Sequence, residues 1–228
     1  MGQVAEHLAQ AYNMIDGQLR TNGITDPRIL QAMIDVPRQA FLPPALHNSA
    51  YVDEDLPFGR GRAFIEPLTF ARLISLADIK EDSSVLVIGA LNGYAAAIAA
   101  KLSQHVVATE LDATLIEEAK KNLKSLGIEH VKWQQVKSLA EGYSLSAPYD
   151  AIIINGAVEF ITESLGAQLS ISGKLTTVRN VTKRPGTSGG LGKVAVINRV
   201  GGRLQFREYY DASTAILPGF TGKSTFSL

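Results

Sequence analysis

The sequence predicts an α/β protein: a doubly wound, mostly parallel sheet with a helical N-terminal extension and a C-terminal antiparallel hairpin. Three observations carry that expectation. Val85-Leu86-Val87-Ile88 runs straight into the turn Gly89-Ala90-Leu91-Asn92-Gly93-Tyr94, after which Ala95 to Leu102 is an Ala-rich helical stretch. Apolar runs and helical stretches then alternate, which implies right-handed βαβ units whose ligand sits at the C-terminal ends of the strands. Near the end, Lys193 to Val200 and Arg203 to Tyr210 alternate in polarity about Gly201-Gly202, a hairpin signal placed at the sheet's edge.

Taken in order, Leu8, Ala11, Tyr12, Ile15 and Leu19 recur at three- and four-residue steps, so residues 5–19 read as an amphipathic helix ended by Asn22-Gly23. Asp26-Pro27 opens a second helix with Ile29, Leu30 and Met33 as its apolar stripe, and that helix stops before Pro37. Residues 37–48 should pack irregularly, and 49–61 read as a polar loop ending in Gly59-Arg60-Gly61. Beyond the central turn, 112–126 is a helix with Leu115, Ile116, Ala119 and Leu123 on one face and Gly127 as its stop. A short strand at 130–134, a strong strand at 151–154, a helix at 161–169 and a strand at 173–178 follow. The Pro/Gly/Ser-rich stretch 184–192 reads as a flexible loop, and Ile216-Leu217-Pro218 as a final packing segment. The expected organisation is one domain over 1–228: extension and substrate loop at 1–80, cofactor-binding core at 81–180, hairpin and tail at 181–228.

The turn is the candidate site. Glycines bounding a strand-to-helix connection bring backbone N–H groups close to a nucleotide-like ligand. Glu110 ends the next apolar run, about 17 residues beyond Gly93, where such sheets place the acid that binds ribose hydroxyls. A bare Gly-x-x-x-Gly turn also occurs as a plain tight connection, and Glu110 is what favours the cofactor crevice.

Composition narrows the chemistry. There is no cysteine, so a disulfide framework, a thiolate metal site and a Cys nucleophile are all excluded. His7, His47, His105 and His130 show no ligand spacing, so no metal is expected. Lys+Arg and Asp+Glu are equal at 22 each, leaving no overall field to attract a polyanion, with Lys183-Arg184 the one small local exception. The sequence shows no membrane-spanning run and no signal peptide, which makes the cytoplasm the expected location.

The string Gln18-Leu19, Asn22-Gly23-Ile24, Asp26-Pro27, Ile29-Leu30, Ala32-Met33, Val36-Pro37-Arg38, Phe41, Pro43, Ala50-Tyr51, Asp53 and Leu56-Pro57 resembles the start of protein-L-isoaspartate O-methyltransferases. The resemblance continues through the turn and through 149–154, Ala157, Ile161, Leu165, Gln168-Leu169 and Gly173, covering roughly 14–180. It implies a Rossmann-like class I methyltransferase fold, S-adenosyl-L-methionine as cofactor, and methyl transfer to the isoaspartyl carboxylate of a damaged protein or peptide. A carboxylate is already ionised at neutral pH, so such a transfer needs positioning more than a base. By resemblance the cofactor contacts would be Gly89, Ala90, Leu91, Asn92, Gly93, Tyr94, Glu110, Leu111 and Ser138, with the active loop over Gly61 to Pro67.

The sequence departs from that family at the working positions. The family's loop carries a Thr and a Ser before its proline, where Ala63 and Ile65 stand here, next to Glu66. If Glu66 points inward it repels an acidic acceptor, whereas Arg62 would receive one unless it is simply a solvated loop side chain. Val87 replaces an acid before Ile-Gly, Leu91 replaces a glycine, and Lys137-Ser138-Leu139 replaces an acidic Gly-Asp-Gly-like element. Leu91 matters most, because a glycine there lets backbone approach the ligand. Three readings follow: a methyltransferase of the isoaspartyl-repair type, with that acceptor or a changed one; a non-catalytic relative serving as a binding module; and a nucleic-acid methyltransferase, which has little behind it beyond Lys183-Arg184, so that no nucleic acid is expected as partner.

Overall fold

A computed structural model describes residues 2–183 and 190–222. Its centre is a seven-stranded sheet in the order β5-β4-β3-β6-β7-β8-β9. Strands β3 (Ser84–Ile88), β4 (His105–Glu110), β5 (Val131–Gln135), β6 (Tyr149–Val158) and β7 (Leu169–Lys183) run parallel. β8 (Gly190–Val200) and β9 (Arg203–Ala212) complete it as an antiparallel edge. Alternate residues of the central strands serve two cores: Val85, Val87, Ala151 and Ile153 enter one, Leu86, Ile88, Ile152 and Ile154 the other. Burial on both faces is why these strands read as unbroken apolar runs.

The helices α1 (Gly2–Met14), α2 (Pro27–Asp35), α4 (Tyr94–Leu102) and α5 (Ala113–Ser125) lie close to where the sequence places them. The α1 helix continues through a π turn and a 3₁₀ turn to Gly23, whose φ is 82°. The Asp26 carboxylate accepts from the Arg28 N–H at 2.9 Å with Pro27 at the first helical position, and Asp112 accepts from Thr114 N–H at 2.8 Å.

Three expectations are corrected and one helix is new. Residues 49–61 are not simply a loop: β1 (Leu56–Gly59) pairs with β2 (Arg62–Phe64) in a separate two-stranded ribbon. Such a short, Gly- and Pro-containing ribbon carries no periodicity to read. An unforeseen helix, α3 (Pro67–Ala77), follows it. Pro67 takes its first position, and Asp55 and Asp53 accept the N–H groups of Glu66 and Leu68 at 2.8 and 3.2 Å. The helix expected at 161–169 is one turn, α6 (Glu163–Gly166), because β7 already begins at Leu169. Of the expected loop at 184–192, residues 184–189 lie outside the described residues and Gly190 to Gly192 begin β8.

Candidate functional site

The chain lays β3, β4 and β5 outward on one side and β6 and β7 on the other, so the strand order reverses between β3 and β6. Ligands of doubly wound sheets bind at that switch point, beyond the carboxyl ends of the strands. Here it is lined by the turn after β3, by Glu110 at the end of β4, and by Asn155 and Gly156 within β6.

The turn is tightly held. The N–H groups of Gly89 and Ala90 both donate to the Thr109 carbonyl, at 3.0 and 3.1 Å, and that of Gly93 donates to the Ala90 carbonyl at 2.9 Å. Leu91 N–H donates to Glu110 Oε2 at 2.9 Å and Leu111 N–H to Glu110 Oε1 at 2.8 Å. Leu91 adopts a φ of 52°, a left-handed conformation that a glycine accepts without strain. Gly93 has a different duty: a Cβ there would meet Leu123 Cδ1 at 2.7 Å and Ala119 Cβ at 3.0 Å, so it lets α4 and α5 close against each other.

Glu110 is 1% exposed, and its partner is Arg62. The guanidinium places Nη1 3.3 Å from Oε1 and Nη2 3.3 Å from Oε2, and Nη2 also donates to the Gly89 carbonyl at 2.9 Å. Arg62 is therefore a buried member of the crevice and not a solvated loop side chain. Outside this pair, Arg60 grips the exposed edge of Asp112. Arg60 and Arg62, two residues apart at the turn and start of β2, thus hold the two acids that flank Leu111. From the opposite side Leu217 presses on the turn: a Cβ at Gly89 would meet its Cδ1 at 3.0 Å, and one at Gly156 its Cγ at 2.5 Å. Leu217 N–H donates to the Ala157 carbonyl at 2.9 Å, which makes the expected packing segment a cover for the site. Asn155 Nδ2 adds a hydrogen bond to the Gly89 carbonyl at 3.1 Å.

The remaining predicted residues scatter. Asn92 turns away, its Nδ2 donating to the Phe41 carbonyl at 2.7 Å and to Glu118 at 3.2 Å. Tyr94 is packed among Phe41, Phe64 and Phe70, with ring centroids 5.1–5.5 Å apart, and burial pushes its phenol up. Ala63 is half-buried. Ile65 is 3% exposed and has its carbonyl taken by Arg38 Nη2 at 2.9 Å. Glu66 faces Thr69 and the start of α3, where burial raises its pKa. Ser138 sits apart, beside the start of a 3₁₀ turn at Leu139–Glu141 and near Gly219. Asn155 escaped the sequence reading, which also placed Arg62 in the active loop without its pairing to Glu110 and Leu217 in a packing segment without its place over the turn. The one available signal was a charged residue opening the otherwise apolar run Arg62-Ala63-Phe64-Ile65.

Beside the turn, between Phe64, Ile65, Leu91, Tyr94 and Asn155, lies a cavity of about 10 Å³. That is room for one water at most, against several hundred Å³ for a nucleotide-sized ligand. In this conformation the residues do not fit a nucleoside cofactor at Glu110: both oxygens of the acid expected to bind ribose are engaged by Leu91 N–H, Leu111 N–H and Arg62. Among the described residues no cluster of three or more His, Asp or Glu could hold a metal, and no helix is long and apolar enough to cross a membrane.

A doubly wound sheet with a glycine turn after its first strand, a carboxylate ending the second and an antiparallel edge is the class I methyltransferase fold. Solved structures agree. A protein-L-isoaspartate O-methyltransferase superposes with a TM-score of 0.76 at 22% identity, covering 94% of this chain and 66% of that one. A relative from Plasmodium falciparum, in complex with S-adenosyl-L-homocysteine, superposes at 0.71 with 19% identity over 93% of this chain and 98% of its own. The family model described as Protein-L-isoaspartate(D-aspartate) O-methyltransferase (PCMT) matches residues 10–183. Protein-L-isoaspartate O-methyltransferase 1 of Rhodopseudomonas palustris is 37% identical over 167 residues, 73% of this chain and 68% of the relative. The Methanoregula boonei enzyme of that name is 39% identical over 162 residues, 71% and 74% of the two chains. The chain belongs to the protein-L-isoaspartate O-methyltransferase family, and S-adenosyl-L-methionine is the cofactor to which this family and fold point.

Proposed function

We propose that the protein is an S-adenosyl-L-methionine-dependent methyltransferase of its family, esterifying a carboxylate of isoaspartyl-damaged protein or peptide in the cytoplasm. The observation that supports this most is Glu110. The ribose acid is kept at the end of β4 and oriented by the N–H groups of Leu91 and Leu111, on a scaffold that matches the family from residue 10 to 183. The acceptor is already ionised, so the chain's task is to position it and keep water out, and no general base is required. Ala63 and Ile65 offer no hydroxyl to the acceptor, while Glu66 faces α3, which removes the expected repulsion from the crevice.

A second reading, a non-catalytic relative serving as a binding module, is favoured by the closed crevice around Arg62 and Leu91. Incubation with methyl-labelled S-adenosyl-L-methionine and an isoaspartyl peptide separates the two. Base-labile label on the peptide supports the enzyme; absence of label, with no thermal shift from millimolar cofactor in the protein or in its Arg62 variants, supports the relative.

A further inference from the structure

The closed crevice has a specific occupant. We propose that Arg62 is an internal ligand of the ribose acid, and that cofactor binding competes directly with the Arg62–Glu110 ion pair. This rests on the functional reading above.

Donor geometry is the first argument. A guanidinium offers two parallel N–H groups, and here they address the two oxygens of Glu110 at 3.3 Å each. The vicinal hydroxyls of a ribose would offer two O–H donors to the same pair of oxygens. One carboxylate already receiving the Leu91 and Leu111 N–H groups has no capacity for both. Nη2 also stands 2.9 Å from the place of a Cβ on Gly89, the glycine that should leave space for a ligand.

The placement of the carrier is the second. Arg62 starts β2 of the ribbon, which among the described residues is a two-stranded sheet separate from the main one. Pro57, Gly59, Arg60 and Gly61 are exposed, and Gly59 and Gly61 take the left-handed φ of 86° and 69° that the turn requires. The ribbon is clamped at β4 by Arg62 on Glu110 and by Arg60 on Asp112. Withdrawing Arg62 alone would strand a buried carboxylate, so the closed form is favoured until ribose hydroxyls take over Glu110. Arg62 then becomes free to meet an acidic group on the acceptor.

The test is calorimetric titration and thermal melting of the full chain with S-adenosyl-L-homocysteine, for the parent, Arg62→Ala, Arg62→Gln and Glu110→Gln. Arg62→Gln keeps a donor for the Gly89 carbonyl, in case the alanine variant fails to fold. The expected result is binding at least tenfold tighter in either Arg62 variant than in the parent, and no gain in Glu110→Gln. Equal affinity in the parent and the Arg62 variants overturns the competition while leaving the methyltransferase reading intact. No binding by any folded variant at millimolar ligand overturns that reading and the competition with it.

Discussion

The main-chain N–H of Leu91 donates to Glu110 at 2.9 Å, so the residue in the turn's left-handed position also helps to hold the crevice's acid. The turn thus grips β4, and the other side of Glu110 is met by Arg62.

That ion pair should dominate local stability. Removing one member of a buried pair typically costs about 3–5 kcal/mol, because the other charge is left without a partner. Arg62→Ala and Glu110→Gln should each fall near that range, and the double variant should lose at least about 1 kcal/mol less than the sum. Urea unfolding of the four proteins measures the cycle; strict additivity would show that the two residues do not act together.

Leu91 carries a backbone conformation that costs a non-glycine residue roughly 1–2 kcal/mol, yet its buried side chain contributes about 2–3 kcal/mol. Both Leu91→Gly and Leu91→Ala should therefore be less stable than the parent. Between the two the usual order should invert, glycine matching or exceeding alanine by up to about 1 kcal/mol, since only glycine relieves the strain. An alanine variant clearly more stable than the glycine one would contradict the left-handed geometry.

Arg38 is 1% exposed, donates to the carbonyls of Ala50 and Ile65 at 2.8 and 2.9 Å, and lies over the rings of Phe64 and Tyr94 at 4.5 and 5.0 Å. It ties the N-terminal extension to the loop before Pro67. Lysine cannot reproduce a planar fork, so Arg38→Lys should cost about 2–4 kcal/mol despite keeping the charge. A loss under about 0.5 kcal/mol would mean that charge alone suffices there.

Burial raises the pKa of Asp55, against the opposing hydrogen bonds from Thr214 Oγ1 at 2.5 Å and Glu66 N–H at 2.8 Å. The folded protein thus holds a proton on Asp55 where the unfolded chain has lost it. This group's contribution is greatest below the ordinary carboxyl pKa and declines as pH rises from there through the raised folded value. Asp55→Asn cannot titrate. Relative to the parent it should gain stability as pH goes from about 4 towards 7, read as the difference in urea midpoints. A difference that does not change with pH would rule out the raised pKa.

Much of the architecture was legible locally. Val85 to Ile88 and Ala151 to Ile154 are buried on both faces, so their character is written in consecutive residues. Asp26-Pro27, Asp112 and Gly127 mark helix ends through hydrogen bonds and torsions that span only a few positions. Spacing alone also placed Glu110 at the end of a strand and a turn between a strand and a helix. The β1–β2 ribbon was not legible, being too short to show a period; α3 was not foreseen, and α6 was expected longer than the single turn it forms.

The sequence by itself determined the sheet, the family and the place of the crevice, because strands, caps and glycine turns are encoded within neighbouring residues. Only the tertiary structure decided what fills that crevice. Arg62 reaches Glu110 across 48 positions, and Leu217 reaches Gly89 and Gly156 from the tail. No local pattern records those encounters; they exist because folding brings the ribbon and the tail over the carboxyl ends of β3, β4 and β6, where a buried carboxylate must be paired.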